Sequence, residues 1–406
     1  MSGALRNSLW VYPWDILDDP RAVEEIVSLD LGRVSLAAVY HTTRTLLPHN
    51  PRRKVVSTGI AAAYFKPDAN RYRGLRLQPR PATWLPVDSF GSALQDLRRA
   101  GLVVNAWIVV LHNSRLGREN RDLVVENAFG DHYEHALCPA QPEVRHYARA
   151  LVGDVVAQHP LAALELEACG YMGWEHLSHH EKFGLRVDLL HGFLLSICFC
   201  AACQAAMVRE DCDPRRLRDA ITAGLESFFG GVSEAADDPD RVRDRLTELL
   251  GETTLAALVR ARDGVTADLL AGIRAALPDP APDLILSAGS SEFATGACVG
   301  LSGPALAAVA DTALVALFGL DDETAARQVE RLARWRPVLA GVRAFWPDAP
   351  NQEALVRRVE RLARAGAVGV HFYQYGLCPR PNLAWIRESQ RPLADSEVAA
   401  TRGGQA

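Results

Sequence analysis

The sequence predicts an α/β chain closed into a (β/α)8 TIM barrel, and three observations carry that expectation. Eight short, β-rich apolar runs punctuate the chain. Amphipathic segments of helical period separate most of them, as parallel strands joined by crossover helices require. The first run is not followed by the Gly-rich turn that a doubly wound dinucleotide-binding sheet would place there. The length, 406 residues, exceeds the roughly 250 of a plain barrel, so sizeable insertions are expected.

The expected strands are 10–16, 34–41, 102–111, 161–168, 283–288, 312–318, 338–346 and 367–375. Helical patterns occupy 91–100, 142–158, 322–335 and 351–365. Two intervals are too long for simple crossovers. Residues 42–90, after the second strand, mix Pro, Arg and aromatic residues without period and read as a long loop insertion. Residues 169–282, after the fourth strand, hold helical patterns at about 185–209, 213–229, 239–250 and 253–277 and read as a helical insertion. Both follow strand C-terminal ends, the face on which barrel enzymes assemble their sites. The expectation is one barrel over 1–390 and a small, polar, disordered tail over 391–406.

Composition narrows the function. Hydrophobic residues at 49%, charged residues at 23% and a net charge of −5 describe an ordinary globular chain without a basic field for nucleic acid. Arg outnumbers Lys 41 to 3, but acidic residues are interleaved with the arginines. No run reaches the ~18 apolar residues of a membrane span, and the N-terminus lacks a signal-peptide core. A cytoplasmic protein is expected, with self-association left open. Eight cysteines in such a chain point to burial or metal before disulfides.

The fourth strand is the most informative. In 163–167, Leu164 and Leu166 share one face, and Glu165 and Glu167 the other. The leucines suit the helix side, so both glutamates should point into the lumen, where a carboxylate is costly unless partnered. Glu167 lies nearer the C-terminal mouth and is the candidate general acid/base. Glu165 is the deeper candidate, or half of a structural ion pair with Arg343. The loop that follows carries Tyr171, Glu175, His176, His179, His180 and Glu181. It reads as a wall of the site, a solvated loop, or a source of metal ligands. Other strand ends offer Tyr12, Trp14, Asp15, His41, Trp107, His112, Asn113, His371 and Tyr373. Rings with polar edges at a barrel mouth suit a sugar, stacking on its apolar face while bonding its hydroxyls.

The run Cys198-Phe-Cys200-Ala-Ala-Cys203 offers three thiolates where tetrahedral zinc takes four ligands. Its apolar setting equally allows three buried thiols on a helix. The stretch 137–145 (LCPAQPEVR), then the acidic strand end, then CFCAAC resembles the family 42 β-galactosidases. It also resembles a looser group of glycoside-hydrolase-like barrels in bacteria, whose closing strand is similar to the run from His371 to Leu377. The resemblance implies a structural zinc on Cys138, Cys198, Cys200 and Cys203, no organic cofactor, and a small carbohydrate or glycoside as substrate. Two departures stand out. The family's acid/base glutamate follows asparagine, whereas Leu166 precedes Glu167, and its nucleophilic glutamate on strand seven is absent. Asp348 is the nearest carboxylate to that position. The leading reading is acid/base hydrolysis of a glycosidic bond. The alternatives are a metal-dependent lyase, isomerase or hydrolase, or a sugar-binding barrel without catalysis.

Overall fold

The computed structural model describes residues 7–174, 182, 184–232 and 234–390. Eight parallel strands close into a barrel: β1 (Ser8–Val11), β2 (Arg33–Tyr40), β3 (Val103–Val109), β4 (Ala163–Glu167), β5 (Asp283–Ser287), β6 (Thr312–Ala316), β7 (Val338–Arg343) and β8 (Ala367–Tyr373). Each pairs with its sequence neighbours, and β1 closes the ring on β8 through Ser8↔His371 and Leu9↔Phe372. Next to the glutamate strand the register sets Trp107 of β3 against Glu165 and Val109 against Glu167. All eight expected strands are present.

The helices around the barrel include α1 (Ala22–Val27), α2 (Ser89–Arg99), α3 (Pro142–Gln158), α4 (Glu252–Arg274), α5 (Gly303–Val309), α6 (Asp322–Ala333), α7 (Gln352–Arg364) and α8 (Arg380–Ser389). Each of the first seven lies between consecutive strands. Their starts are written in the sequence: Asp88, Asp321 and Asn351 cap α2, α6 and α7 by accepting from Gly91, Thr324 and Ala354 N–H. On the inward face of α7, Leu355, Val359 and Leu362 are buried, each contributing about 2 kcal/mol of apolar transfer.

The first strand is shorter than expected. It ends at Val11, and Pro13–Leu17 is a helical turn. Pro13 cannot donate to a strand ladder but suits a first helical turn. The Asp15 carboxylate then accepts from Tyr12 N–H at 2.8 Å, closing the turn. Trp14 and Asp15 therefore do not continue the strand face that Tyr12 ends.

Between β2 and α2 the chain forms the antiparallel hairpin Arg44–Leu46/Val55–Ser57. Between β4 and α4 it forms helices Leu189–Leu195, Ala201–Arg209, Pro214–Phe229 and Pro239–Leu250 around a second apolar cluster including Phe193, Phe199, Leu217, Ile221 and Leu246. The expected helix over 185–209 is broken at 196–200. That break lets Cys198 and Cys200 leave the helical path and face Cys138. The expected tail, 391–406, lies outside the described residues.

Candidate active site

Strand alternation brings one set of side chains into the lumen. Glu165 is 1% exposed and accepts a short hydrogen bond from the Trp10 indole N–H of β1. Its other oxygen is 3.4 Å from His371 Nε2, and the His371 ring stacks on Trp10 at 4.0 Å. Burial pushes Glu165 up to about 8 and His371 down to about 3, so both are uncharged at neutral pH. The ion pair with Arg343 does not form.

A neutral carboxyl has a linkage consequence. An unfolded glutamate ionises near 4.5, while folded Glu165 keeps its proton to about 8. Its contribution to stability is therefore fully present below the unfolded value. It is lost as pH rises toward the folded one, by roughly 1.4 kcal/mol per pH unit across that window. Glu165→Gln, which keeps the acceptor for Trp10, should flatten this decline. Thermal melts from pH 5 to 9 that fall equally in both proteins would disprove the assignment.

Two residues on along β4, Glu167 is partly exposed at the mouth, and its carboxylate accepts from the Trp107 indole N–H at 2.7 Å. Burial raises it to about 7 against the lowering effect of that bond. Tyr40 and Tyr373 stand beside it and Tyr12 beside them, with phenols that burial holds in the protonated form. The Tyr40 ring packs on Trp107 at 4.6 Å and on His41 at 4.2 Å, and His41 meets His112 at 4.3 Å. Burial lowers His41 to about 4, so this imidazole is neutral. Directly after Glu167, Ala168 has φ 55° and donates to Ala297 O at 2.9 Å. A left-handed backbone costs a non-glycine residue ~1 kcal/mol, and here it ends β4 directly after Glu167. Trp107→Phe removes the one indole donor to Glu167 and should raise its titration midpoint by about one unit, read by NMR of 13C-labelled carboxyls. An unmoved midpoint would show that the bond contributes nothing to the charged form.

Across the barrel, β7 ends in Arg343. Gly341 lies in the lumen against Trp10, where an added Cβ would come within 3.2 Å of the indole, so two residues on Arg343 also faces inward. Its guanidinium lies 4.5 Å over the Phe318 ring and 3.7 Å from Asp348. Asp348 Oδ1 also accepts from Gly319 N–H at 3.0 Å, while Oδ2 is buried without a hydrogen bond. A cavity of about 480 Å³ opens beside this mouth, lined by Ala288 to Ser291 after β5, by Val315 and Ala316 of β6, and by Arg327 and Arg331.

The expected site residues thus divide. Glu165, Glu167, Trp107, Tyr12, His371 and Tyr373 meet in the lumen, with His41 and His112 at its rim. Asp348 sits with Arg343 on the β7 side. Trp14 is fully buried against Tyr12 and Trp84, and Asp15, raised to about 7 by burial, is tied to Tyr12 N–H and Gln374. Asn113 caps the helix Ser114–Glu119 through Leu116 N–H. Tyr171 turns to the cysteines, its hydroxyl 3.4 Å from Cys203 Sγ. Glu175, His176, His179, His180 and Glu181 lie outside the described residues.

The four cysteines converge. Cys138 Sγ is 3.7, 3.7 and 3.4 Å from the sulfurs of Cys198, Cys200 and Cys203, and all four lie within 4.8 Å of one another. Four sulfurs at 2.3 Å from a tetrahedral zinc would be about 3.8 Å apart, so the buried set has the dimensions of a metal site. It is the one group of metal-ligand spacing among the described residues.

No protein-family model matches the chain, and no curated protein matches it. Solved structures do. The PgaB (BpsB) glycoside hydrolase domain from Bordetella bronchiseptica aligns at a TM-score of 0.55 and 14% identity, over 95% of this chain and 99% of that one. The α-L-fucosidase isoenzyme 2 from Paenibacillus thiaminolyticus aligns at 0.55 and 13%, over 97% of this chain and 50% of that one. Gan42B, a GH42 β-galactosidase, aligns at 0.52 and 13%, over 97% and 57%. The chain thus spans about half the length of the last two. The fold is a (β/α)8 barrel, as it is in these glycoside hydrolases. At these identities the relationship is distant and the likeness is one of fold.

In this barrel, one residue that the sequence does not single out is Trp10. It holds Glu165 and stacks on His371, and the period of two that singles out Tyr12 points back to it. His135, whose Nε2 lies 3.0 Å from Gly173 O at the rim, follows no strand of the barrel and left no signal in the sequence.

Proposed function

We propose that this chain is a carbohydrate-active enzyme that hydrolyses a glycosidic bond, with Glu167 as general acid/base and a small carbohydrate or glycoside as substrate. One observation carries the reading: the Glu167 carboxyl at the C-terminal mouth, held by an indole N–H among aromatic rings, with its ionisation raised to about 7. A carboxyl tuned to the working pH delivers its proton to the departing glycosidic oxygen as the C–O bond breaks, and water adds its oxygen to the sugar carbon and gives up a proton to a carboxylate of the site. The rings of Trp107, Tyr40 and Tyr373 would stack on the sugar, and His41 and His112 would bond its hydroxyls. Asp348, with its unbonded Oδ2, is the proposed second carboxylate. The four cysteines would hold a structural zinc and no organic cofactor would be needed. Eight cysteines with no disulfide among them fit a reducing, cytoplasmic setting.

A second reading, a sugar-binding barrel without turnover, draws on the β7 end. Arg343 stands there, and Asp348 Oδ1 is engaged by Gly319 and Arg343. The test is a screen of aryl and alkyl glycosides with the wild type and Glu167→Gln in parallel. Turnover that survives the substitution removes Glu167 from the chemistry, and saturable sugar binding without turnover favours the second reading.

A further inference from the structure

We infer that Arg262 is the charge-compensating partner of the metal held by the four cysteines and sets how tightly that metal binds. The inference rests on the metal reading above. Arg262 lies on α4 and is 5% exposed, and its Nε and Nη1 make no hydrogen bond. Among the described residues no carboxylate forms an ion pair with it. The adjacent Asp263 is turned to Ser302 N–H at 3.1 Å. A guanidinium does not give up its charge, so a buried one without a counter-ion is expensive.

What surrounds it identifies the missing counter-charge. The guanidinium carbon lies 4.4 Å over the Tyr171 ring and 4.9 Å over Phe193. Arg262, Tyr171, Cys198 and Cys203 line one small internal cavity. The Tyr171 hydroxyl is 3.4 Å from Cys203 Sγ, so the ring spans from the cation to the sulfurs. A divalent ion bound by four thiolates keeps two net negative charges, and that charge too is buried. The Glu126 N–H, 3.4 Å from Cys198 Sγ, and the Tyr171 hydroxyl offer only dipoles. Arg262 supplies a full positive charge. Cation and thiolate centre therefore each offset the desolvation of the other, and a cation over the ring also strengthens the Tyr171 hydroxyl as a donor to sulfur.

The test uses the full chain loaded with Co2+, whose thiolate charge-transfer and visible bands report a tetrahedral sulfur site, and titrates the metal away with a chelator. Arg262→Met, which keeps the apolar stem without the charge, should weaken cobalt binding by about 10–100-fold. Arg262→Lys, which restores the charge, should recover most of that loss. A Met variant that holds cobalt as tightly as wild type overturns the inference. So does a Lys variant as weak as the Met variant, since stacking and not charge would then be at work. If the Met variant does not fold, the Lys variant decides, and a tenfold or greater weakening overturns the inference. A wild-type chain that takes up no cobalt overturns the metal reading and this inference together; uptake with unchanged affinity in the Met variant overturns the role of Arg262 alone.

Discussion

Glu167→Gln should lower turnover by about 10²–10⁴-fold while leaving the thermal melt nearly unchanged. The size follows from the role, and the leaving group decides where in that range the loss falls. A nitrophenolate departs readily without a proton, whereas an alkoxide needs one as the bond breaks. The defect should therefore be smallest on nitrophenyl glycosides and largest on alkyl glycosides. Fold stability is spared because the amide oxygen still accepts from Trp107 N–H, and the variant removes a carboxyl that burial already penalises. The wild-type rate should fall as pH rises through about 7, where Glu167 loses the proton it must donate. A defect of equal size on every leaving group would exclude Glu167 as the acid that protonates the leaving group, and an unaltered rate would exclude it from the site.

That prediction could be framed from the sequence because β4 declares itself. Alternation in Ala-Leu-Glu-Leu-Glu leaves one orientation compatible with apolar packing outside, and the barrel sets Glu165 and Glu167 inside as that pattern demands. The strands and most of the ring of helices are legible for the same reason: periods of two and 3.6 are properties of the local chain. The 10–16 run misleads because its apolar content outweighs Pro13, although Tyr12 and Asp15 stand at the spacing of a helix start. What the sequence hides is partnership. Nothing local shows that Trp10 takes Glu165, that Arg343 turns to Phe318 and Asp348, or that Tyr171 belongs to the cysteines and not to the barrel mouth. Those pairings join residues on different strands and loops, and only closure of the barrel sets them.

Cys138→Ser should abolish stoichiometric metal and lower the melting temperature by at least ~5 °C, measured by elemental analysis and calorimetry on the purified chain. The four sulfurs belong to two distant pieces of chain. Cys138 follows the hairpin strand His132–Leu137 at the entrance to α3, whereas Cys198 and Cys200 lie in the break between helices Leu189–Leu195 and Ala201–Arg209 and Cys203 in the first turn of the second. A metal bonded to both ties the helical segment after β4 to the barrel wall, and binding to the folded state alone adds RT ln([M]/Kd), about 4 kcal/mol at a thousandfold excess over Kd. Serine lacks the soft thiolate, so three ligands remain and affinity collapses. The loss should first expose the chain near 196–203, making it the earliest site of limited proteolysis. Chelation of the wild type should reproduce both effects. A wild-type protein that carries no metal, with a melt indifferent to chelator and to Cys138→Ser, would return these four cysteines to the role of buried apolar side chains.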